Sequence, residues 1–239
     1  IANHTGNDND DATKYPSCVQ KEILALGDDA WHVPLKSTTD WDDRYDVTHG
    51  CVGLPDLNTE NKTIQSLFKG YLQDCLDCGA DGFRVDTAKH IGLPTDEEKS
   101  KSDFWPSVFS GLKTEDGTKP YVYGEVLQGG ADNFAGYSKY INLTSSNYGD
   151  SVRQAVGFNN SPDVSKIQDY KADGVDSGKL ITWVESHDTY ANDSEESTAM
   201  TDEEIKDGWA IIGARAKANP VFFNRPAGRG KLDGNIGSM

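Results

Sequence analysis

The sequence predicts an α/β fold, a parallel sheet covered by helices, on three observations. Short apolar strands alternate with amphipathic helices from residue 64 onward, three of the strands lead into a carboxylate, and 239 residues suffice for one large core. A closed barrel and an open doubly wound sheet both satisfy this alternation, and the pattern alone favours neither.

The elements follow in chain order. Residues 5–60 are rich in Asn, Asp, Thr and Gly with little periodicity, which reads as an irregular excursion built from turns. Ile64, Leu67, Phe68, Tyr71, Leu72, Cys75 and Leu76 then recur at three- and four-residue steps, an amphipathic helix that Gly79 can end in the left-handed conformation. A strand is expected over Gly82 to Asp86, and a Thr95-x-x-Glu98 capping signature opens a mixed helical stretch through about Leu112. Further strands are expected at Tyr121 to Val126, Ile141 to Leu143, Leu180 to Val184 and Val221 to Phe223. A short helix is expected at Ser151 to Phe158, and Thr201-x-x-Glu204 caps a helix with Ile205, Trp209 and Ile212 on one face.

Composition narrows the function classes. A net charge of −16 argues against a nucleic-acid or anionic-membrane partner and favours a neutral or cationic ligand. It also fits the solvated acidic surface of a soluble secreted protein, so an extracellular location is the expectation. The chain has no run of 18 apolar residues and no targeting signal at Ile1, where processing or truncation is the reading. Glycines around Gly124 to Gly130 lack phosphate-loop spacing, which counts against a nucleotide binder. Cys75 and Cys78 have no second pair and read as buried free thiols rather than a zinc or redox site; a Cys18–Cys51 disulfide is an alternative for the other two.

The chemistry concentrates at three acids. Asp86 closes Gly82-Phe83-Arg84-Val85-Asp86, Glu125 sits in Tyr123-Gly124-Glu125-Val126, and Asp188 follows Trp183-Val184-Glu185-Ser186-His187. Carboxylates at the carboxyl ends of strands lie where a barrel displays its active site. Arg84 and Asp86 are two apart on one strand and share a face, so the guanidinium keeps Asp86 ionised, as a nucleophile requires. Glu125 has no adjacent basic residue and is expected to hold its proton longer, as a proton donor requires. A structural Arg–Asp pair with incidental strand-end acids is the bland alternative. Trp31, Trp41 and Tyr45 read as packing for the loop region rather than as platforms for sugar rings.

Four segments, in order, resemble the α-amylase family of retaining glycosidases. Gly82-Phe83-Arg84-Val85-Asp86-Thr87-Ala88-Lys89-His90 is similar to its nucleophile segment, Gly124-Glu125-Val126 to its acid/base segment, Glu185-Ser186-His187-Asp188 to the segment of its third acid, and Gly53-Leu54-Pro55-Asp56-Leu57-Asn58 to a stretch near the end of its loop domain. Ile1-Ala2-Asn3-His4 resembles the last residues of its earliest barrel motif. The resemblance implies a (β/α)8 TIM barrel, present in part as strands four to eight: residues 1–4 end strand three, 5–60 form an irregular inserted domain, and 61–239 form the catalytic barrel, truncated at its carboxyl end. It implies Asp86 as nucleophile, Glu125 as general acid/base and Asp188 as transition-state stabiliser, with Arg84 orienting Asp86. His4 and His187 would bind the sugar at the cleavage point, and Lys89 and His90 would line the leaving-group side. A structural calcium would be held by Asn3, Asp56 and the backbone carbonyl of His90, oxygen donors as calcium requires. The implied activity is endo-acting hydrolysis of α-1,4 bonds in starch- or glycogen-type α-glucan. A transglycosylase, an α-glucosidase or a non-catalytic carbohydrate-binding relative are the alternatives, and the oligomeric state is not implied.

Overall fold

The structure, a computed structural model, describes residues 3–6, 14–16, 19–167, 171–191, 196–217 and 219–225. Two units, Ile1–Leu143 and Thr144–Met239, each carry their own contacts.

In the first unit the amino-terminal region is loop-built, as its turn-rich composition predicts. A short helix α1 (Lys21–Leu24) and a 3-10 turn (Gly27–Ala30) fold over a cluster of Ala30, Trp31, Leu57 and Ile64. Isolated bridges His4↔Asp56, Trp31↔Leu57 and Ser37↔Cys51 take the place of a sheet. Helix α2 (Arg44–His49) starts where the Asp43 carboxylate accepts from Tyr45 N. Helix α3 (Lys62–Asp77) starts where the Asn61 side chain accepts from Thr63 N and Ile64 N, and its face through Ile64 and Leu76 is buried. Gly79, at φ +98°, takes the left-handed turn that follows it.

That turn delivers the chain into β1 (Gly82–Val85), which pairs in parallel with β2 (Tyr121–Gly124) in the register Gly82↔Tyr121, Arg84↔Tyr123 and Val85↔Gly124. Gly82 is required by this approach: a Cβ there would lie 1.9 Å from the Tyr121 carbonyl oxygen. The strand β3 (Asn142–Thr144) pairs in parallel with β2 through Tyr123↔Asn142 and Gly124↔Leu143.

Between β1 and β2 the expected capped helix does not form at Thr95. A 3-10 turn (Glu98–Ser100) precedes a short α4 (Phe104–Phe109), and the Asp96 carboxylate instead accepts from Leu93 N and Arg44. Pro106 is the third residue of α4, so it lacks the N–H that an earlier helix start would require. Helix α5 (Phe134–Tyr137) precedes β3 and buries Phe134 and Tyr137.

In the second unit, helix α6 (Ser146–Ala155) starts five residues before the expected position and ends at Ala155 rather than Phe158, with Tyr148 joining Val152 and Ala155 on the buried face. Gly157 leaves it at φ +94°. Ser145 N donates to Ile181 O in the buried strand β4 (Leu180–Thr182), after which come α7 (His187–Ala191) and α8 (Asp202–Ala214). Thr201 and Glu204 form the predicted capping box of α8, with Ile205 and Ile212 inside and Trp209 against the same core as Tyr148, Val152 and Val184. The last strand, β5 (Asn219–Pro220), pairs in parallel with β4 two residues earlier than expected. Val221 still donates to Thr182 O, but Val221 and Phe222 are exposed.

The thiols divide differently from expectation: Cys51 is buried, Cys75 is half-buried in α3, and Cys78, the residue that caps the end of α3, is exposed. Cys18, and with it the Cys18–Cys51 pairing, lies outside the described residues, as do Ile1, Ala2 and residues 226–239. Among the described residues no helix is long and apolar enough to cross a membrane.

Candidate active site

The first two acids are neighbours because β1 and β2 are. Val85 pairs with Gly124, so Asp86 and Glu125 are the next residues along adjacent parallel strands, and Glu125 N donates to Val85 O at 2.8 Å. Arg84 serves both: Nη1 donates to Asp86 Oδ1, and Nη2 lies 3.3 Å from Glu125 Oε1. Burial works against the charge of Arg84, but Glu125 and Asp86 outweigh it and raise its pKa. This corrects the expectation that Glu125 has no basic neighbour. Residues two apart on one strand can be read from sequence, whereas Arg84 meets Glu125 across a register that pairing alone defines.

Thr87, absent from the sequence-derived site, holds the turn between these acids. It adopts a left-handed φ of +46°, its N–H donates to Glu125 Oε2 at 3.1 Å, and its hydroxyl lies 3.2 Å from His4 Nδ1. A Cβ at Gly124 would meet Ile141 and Ala88 at 2.4 and 2.9 Å, so the strand that delivers Glu125 needs glycine there.

His4, Lys89 and His90 gather around the same turn. The rings of His4 and His90 meet edge to face at 5.3 Å, and His90 Nδ1 lies 2.7 Å from Val47 O. Burial, with His90 beside it, lowers the His4 pKa to about 3, and burial lowers that of His90 to about 4, so both are neutral hydrogen-bonding groups. Lys89 donates to Leu127 O and stands over the ring of Trp41, 5.3 Å from its centroid. Of the three aromatics read as packing, Trp31 is buried, Tyr45 stacks on His49, and Trp41 is half exposed.

A second residue missed from sequence is Arg44. Its half-buried guanidinium donates to Asp96 Oδ2, Lys89 O, Ala131 O and Tyr137 OH, all within 3.2 Å. One side chain of the loop region thereby anchors the segments that follow β1 and β2. Nothing in its local sequence marks it.

Asn3, Asp56 and the His90 carbonyl come together. Asn3 Nδ2 donates to Asp56 Oδ1 at 2.9 Å and to His90 O at 3.3 Å, with Asn3 and Asp56 both fully buried. Asn3 Oδ1 has no hydrogen-bond partner among the described residues. Rotating the amide would set its oxygen beside Asp56 Oδ1 and His90 O, a trio of oxygen donors of the kind a hard cation takes. The donor set therefore fits calcium.

In the second unit, Asp188 does not end a strand as predicted. It stands in the first turn of α7, well beyond β4, with its carboxylate 3.3 Å from His187 Nε2. The segment before it is fixed by Glu185, whose buried carboxylate takes two bonds from Arg225 at 2.8 Å and one from Ser197 at 2.9 Å.

Parallel strands joined through helices, with an Asp and a Glu side by side past their carboxyl ends and one arginine on both, define a barrel-type α/β protein with an acidic site at the edge of its sheet. A family model described as the alpha amylase catalytic domain matches residues 3–197, and the chain belongs to that family. An alpha-amylase of Butyrivibrio fibrisolvens is 43% identical over 254 residues, covering 95% of this chain and 25% of that protein. The chain thus spans about a quarter of the length of this relative. The fold is similar to that of the Geobacillus thermoleovorans alpha-amylase complexed with acarbose (TM-score 0.65, 20% identity, 97% of this chain and 50% of that one). It is also similar to the E249Q mutant of alpha-amylase I from Eisenia fetida in complex with maltohexaose (TM-score 0.63, 18% identity, 89% of this chain and 45% of that one).

Proposed function

We propose that the protein containing this chain hydrolyses internal α-1,4 bonds of starch- or glycogen-type glucans with retention of configuration. The observation that carries the proposal is the pairing of Asp86 and Glu125 at adjacent strand ends under one guanidinium. In this reading Glu125 gives a proton to the leaving glycosidic oxygen while the Asp86 carboxylate attacks the anomeric carbon, forming a glycosyl ester. Glu125 then takes a proton from water, which displaces Asp86 and releases the sugar. Arg84 orients the Asp86 carboxylate through its Nη1 bond and, through Nη2, faces the charge that Glu125 carries once that proton has gone. Thr87 N–H orients the Glu125 oxygen not held by Arg84.

Neutral His4 and His90, with Lys89, supply hydrogen bonds to sugar hydroxyls around the same turn. His187 and Asp188 are assigned to substrate binding and to stabilising the oxocarbenium-like transition state, a role supported by the resemblance of their segment alone. Asn3, Asp56 and His90 O are assigned to a structural calcium ion, which would neutralise the buried Asp56 carboxylate and fasten the loop region to the turn after β1. The bound oligosaccharides of the two structural neighbours support the substrate class.

The test separates the two acids. Asp86→Asn should abolish turnover while oligosaccharide binding stays within about tenfold, since the lost step is chemistry. Glu125→Gln should cleave a glycosyl fluoride, whose leaving group needs no proton, far better than starch. Near-normal rates for the first variant, or equal losses on both substrates for the second, would sink the assignment. Products from maltoheptaose separate hydrolysis, which gives shorter fragments, from transglycosylation, which gives longer ones.

A further inference from the structure

We infer that His32, His49 and Glu60 form a transition-metal site of the zinc class, distinct from the oxygen-lined calcium set. The three residues come from separate segments: His32 follows the 3-10 turn after α1, His49 ends α2, and Glu60 stands just before α3. One ring nitrogen of each histidine and one carboxylate oxygen of Glu60 lie within 4.8 Å of one another. A tetrahedral ion with ligand bonds of about 2.1 Å needs its ligands about 3.4 Å apart, so the wider edges must close by up to about 1.4 Å. The His32–Glu60 edge is a hydrogen bond, with Nε2 2.6 Å from Oε2, and must open by about 0.8 Å as the ion displaces its proton.

The surroundings are those of a built site. His32 Nδ1 lies 2.6 Å from Asp56 Oδ2, the outer carboxylate that fixes the tautomer and orientation of a metal-bound imidazole. His32 is buried, so its ring has few alternative orientations. The His49 ring lies between His32 and Tyr45, at centroid distances of 4.0 and 4.2 Å, and its Nδ1 is 2.9 Å from the Thr48 hydroxyl. Two imidazoles in tilted ring contact beside a carboxylate present two nitrogens and one oxygen, a donor set that suits Zn2+ or Co2+ and leaves the fourth position to water. Calcium, which takes six to eight oxygens, is a poor fit.

The geometry also gives the site its role. Glu60 and His32 flank the buried cluster of Trp31, Leu57 and Ile64, and His49 belongs to the helix that carries Arg44. A metal joining them would staple three loop segments that otherwise share isolated bridges, and would hold Asp56 from the side opposite Asn3.

The test uses the full-length protein, stripped of metals and then saturated with calcium so that the oxygen-lined set is occupied. Titration with Co2+ should give one equivalent with the strong visible absorption of a tetrahedral nitrogen–oxygen site, lost on adding Zn2+. His49→Gln and Glu60→Gln should each weaken this binding at least tenfold, while unfolding of the calcium-loaded, zinc-free variants stays cooperative. Absence of a tetrahedral Co2+ signal in the parent protein overturns the inference. So does a signal that survives unchanged in a folded His49→Gln variant; if that variant does not fold, Glu60→Gln decides by the same criterion.

Discussion

Arg84 reaches across from β1 to Glu125 at the end of β2, with Nη2 3.3 Å from Oε1, while its other terminal nitrogen donates to Asp86. Only a forked, permanently charged group makes both contacts at once. Arg84→Lys should therefore keep one contact and lose the other, and Arg84→Leu should lose both. We expect kcat to fall about a hundredfold for Arg84→Leu, as for other small displacements of reacting groups, with a smaller change in KM. A kcat unchanged in Arg84→Lys would mean that the two contacts are not needed together.

Calcium removal tests the Asn3, Asp56 and His90 set. An ion that binds only the folded state stabilises it by about 2.7 kcal/mol at a hundred times its dissociation constant. Chelation should therefore lower Tm, and added calcium should restore it. A Tm indifferent to chelator would remove these residues from a metal role. Asn3→Ala, which deletes the buried orphan oxygen, should abolish the response.

How much of this was legible in sequence differs by residue. The capping box of Thr201 and Glu204 lies within four residues and could be read directly, as could the left-handed Gly79 after an apolar helix. Asp86 and Glu125 were legible because each follows its own apolar strand. Their common arginine was not, since the Arg84–Glu125 contact depends on which strand pairs with which. Arg44 was illegible for the same reason: its partners lie 45 to 93 residues away along the chain. The absent helix at Thr95 records a local signal overridden by a tertiary one, because Asp96 in that signature is held by Arg44. Motif resemblance located Asp188, but its strand-like surroundings pointed to a strand end where the chain turns into a helix.

Acid sensitivity should follow Asp46. Burial alone would raise its pKa, but Lys36, the backbone N–H groups of Thr39 and Asp40 and the Thr39 hydroxyl hold the carboxyl well below its usual range. A folded-state pKa below the unfolded one gives stability that is complete above the unfolded value of about 4 and is lost as pH falls below it. Asp46→Asn should cost about 1–3 kcal/mol at neutral pH, and the gap to the parent should shrink as pH drops below about 4. Chemical denaturation at several pH values measures it, and a gap that stays constant would dissociate the stabilisation from ionisation.

The last prediction concerns Glu185 and Arg225 in the second unit. The Glu185 carboxylate is fully buried and takes both oxygens to Arg225, at 2.8 Å each, while the guanidinium also donates to Ser197 O and Met200 O. Taking one partner away leaves a buried charge with no counter-ion, which costs about 3–5 kcal/mol, whereas taking both away exchanges the pair for apolar packing at little net cost. Arg225→Ala and Glu185→Leu should each lower stability by that amount, and the double variant should lose much less than their sum. Because Glu185 stands three residues before Asp188, Arg225→Lys offers a finer probe. Lysine keeps the charge but cannot make the two-pronged bond, so the fold should survive while the segment bearing Asp188 loses its fixed orientation. We expect Arg225→Lys to unfold cooperatively with kcat reduced about tenfold or more. A double-variant loss equal to the sum of the single losses would show that the two side chains act independently and would remove this pair as the anchor of Asp188.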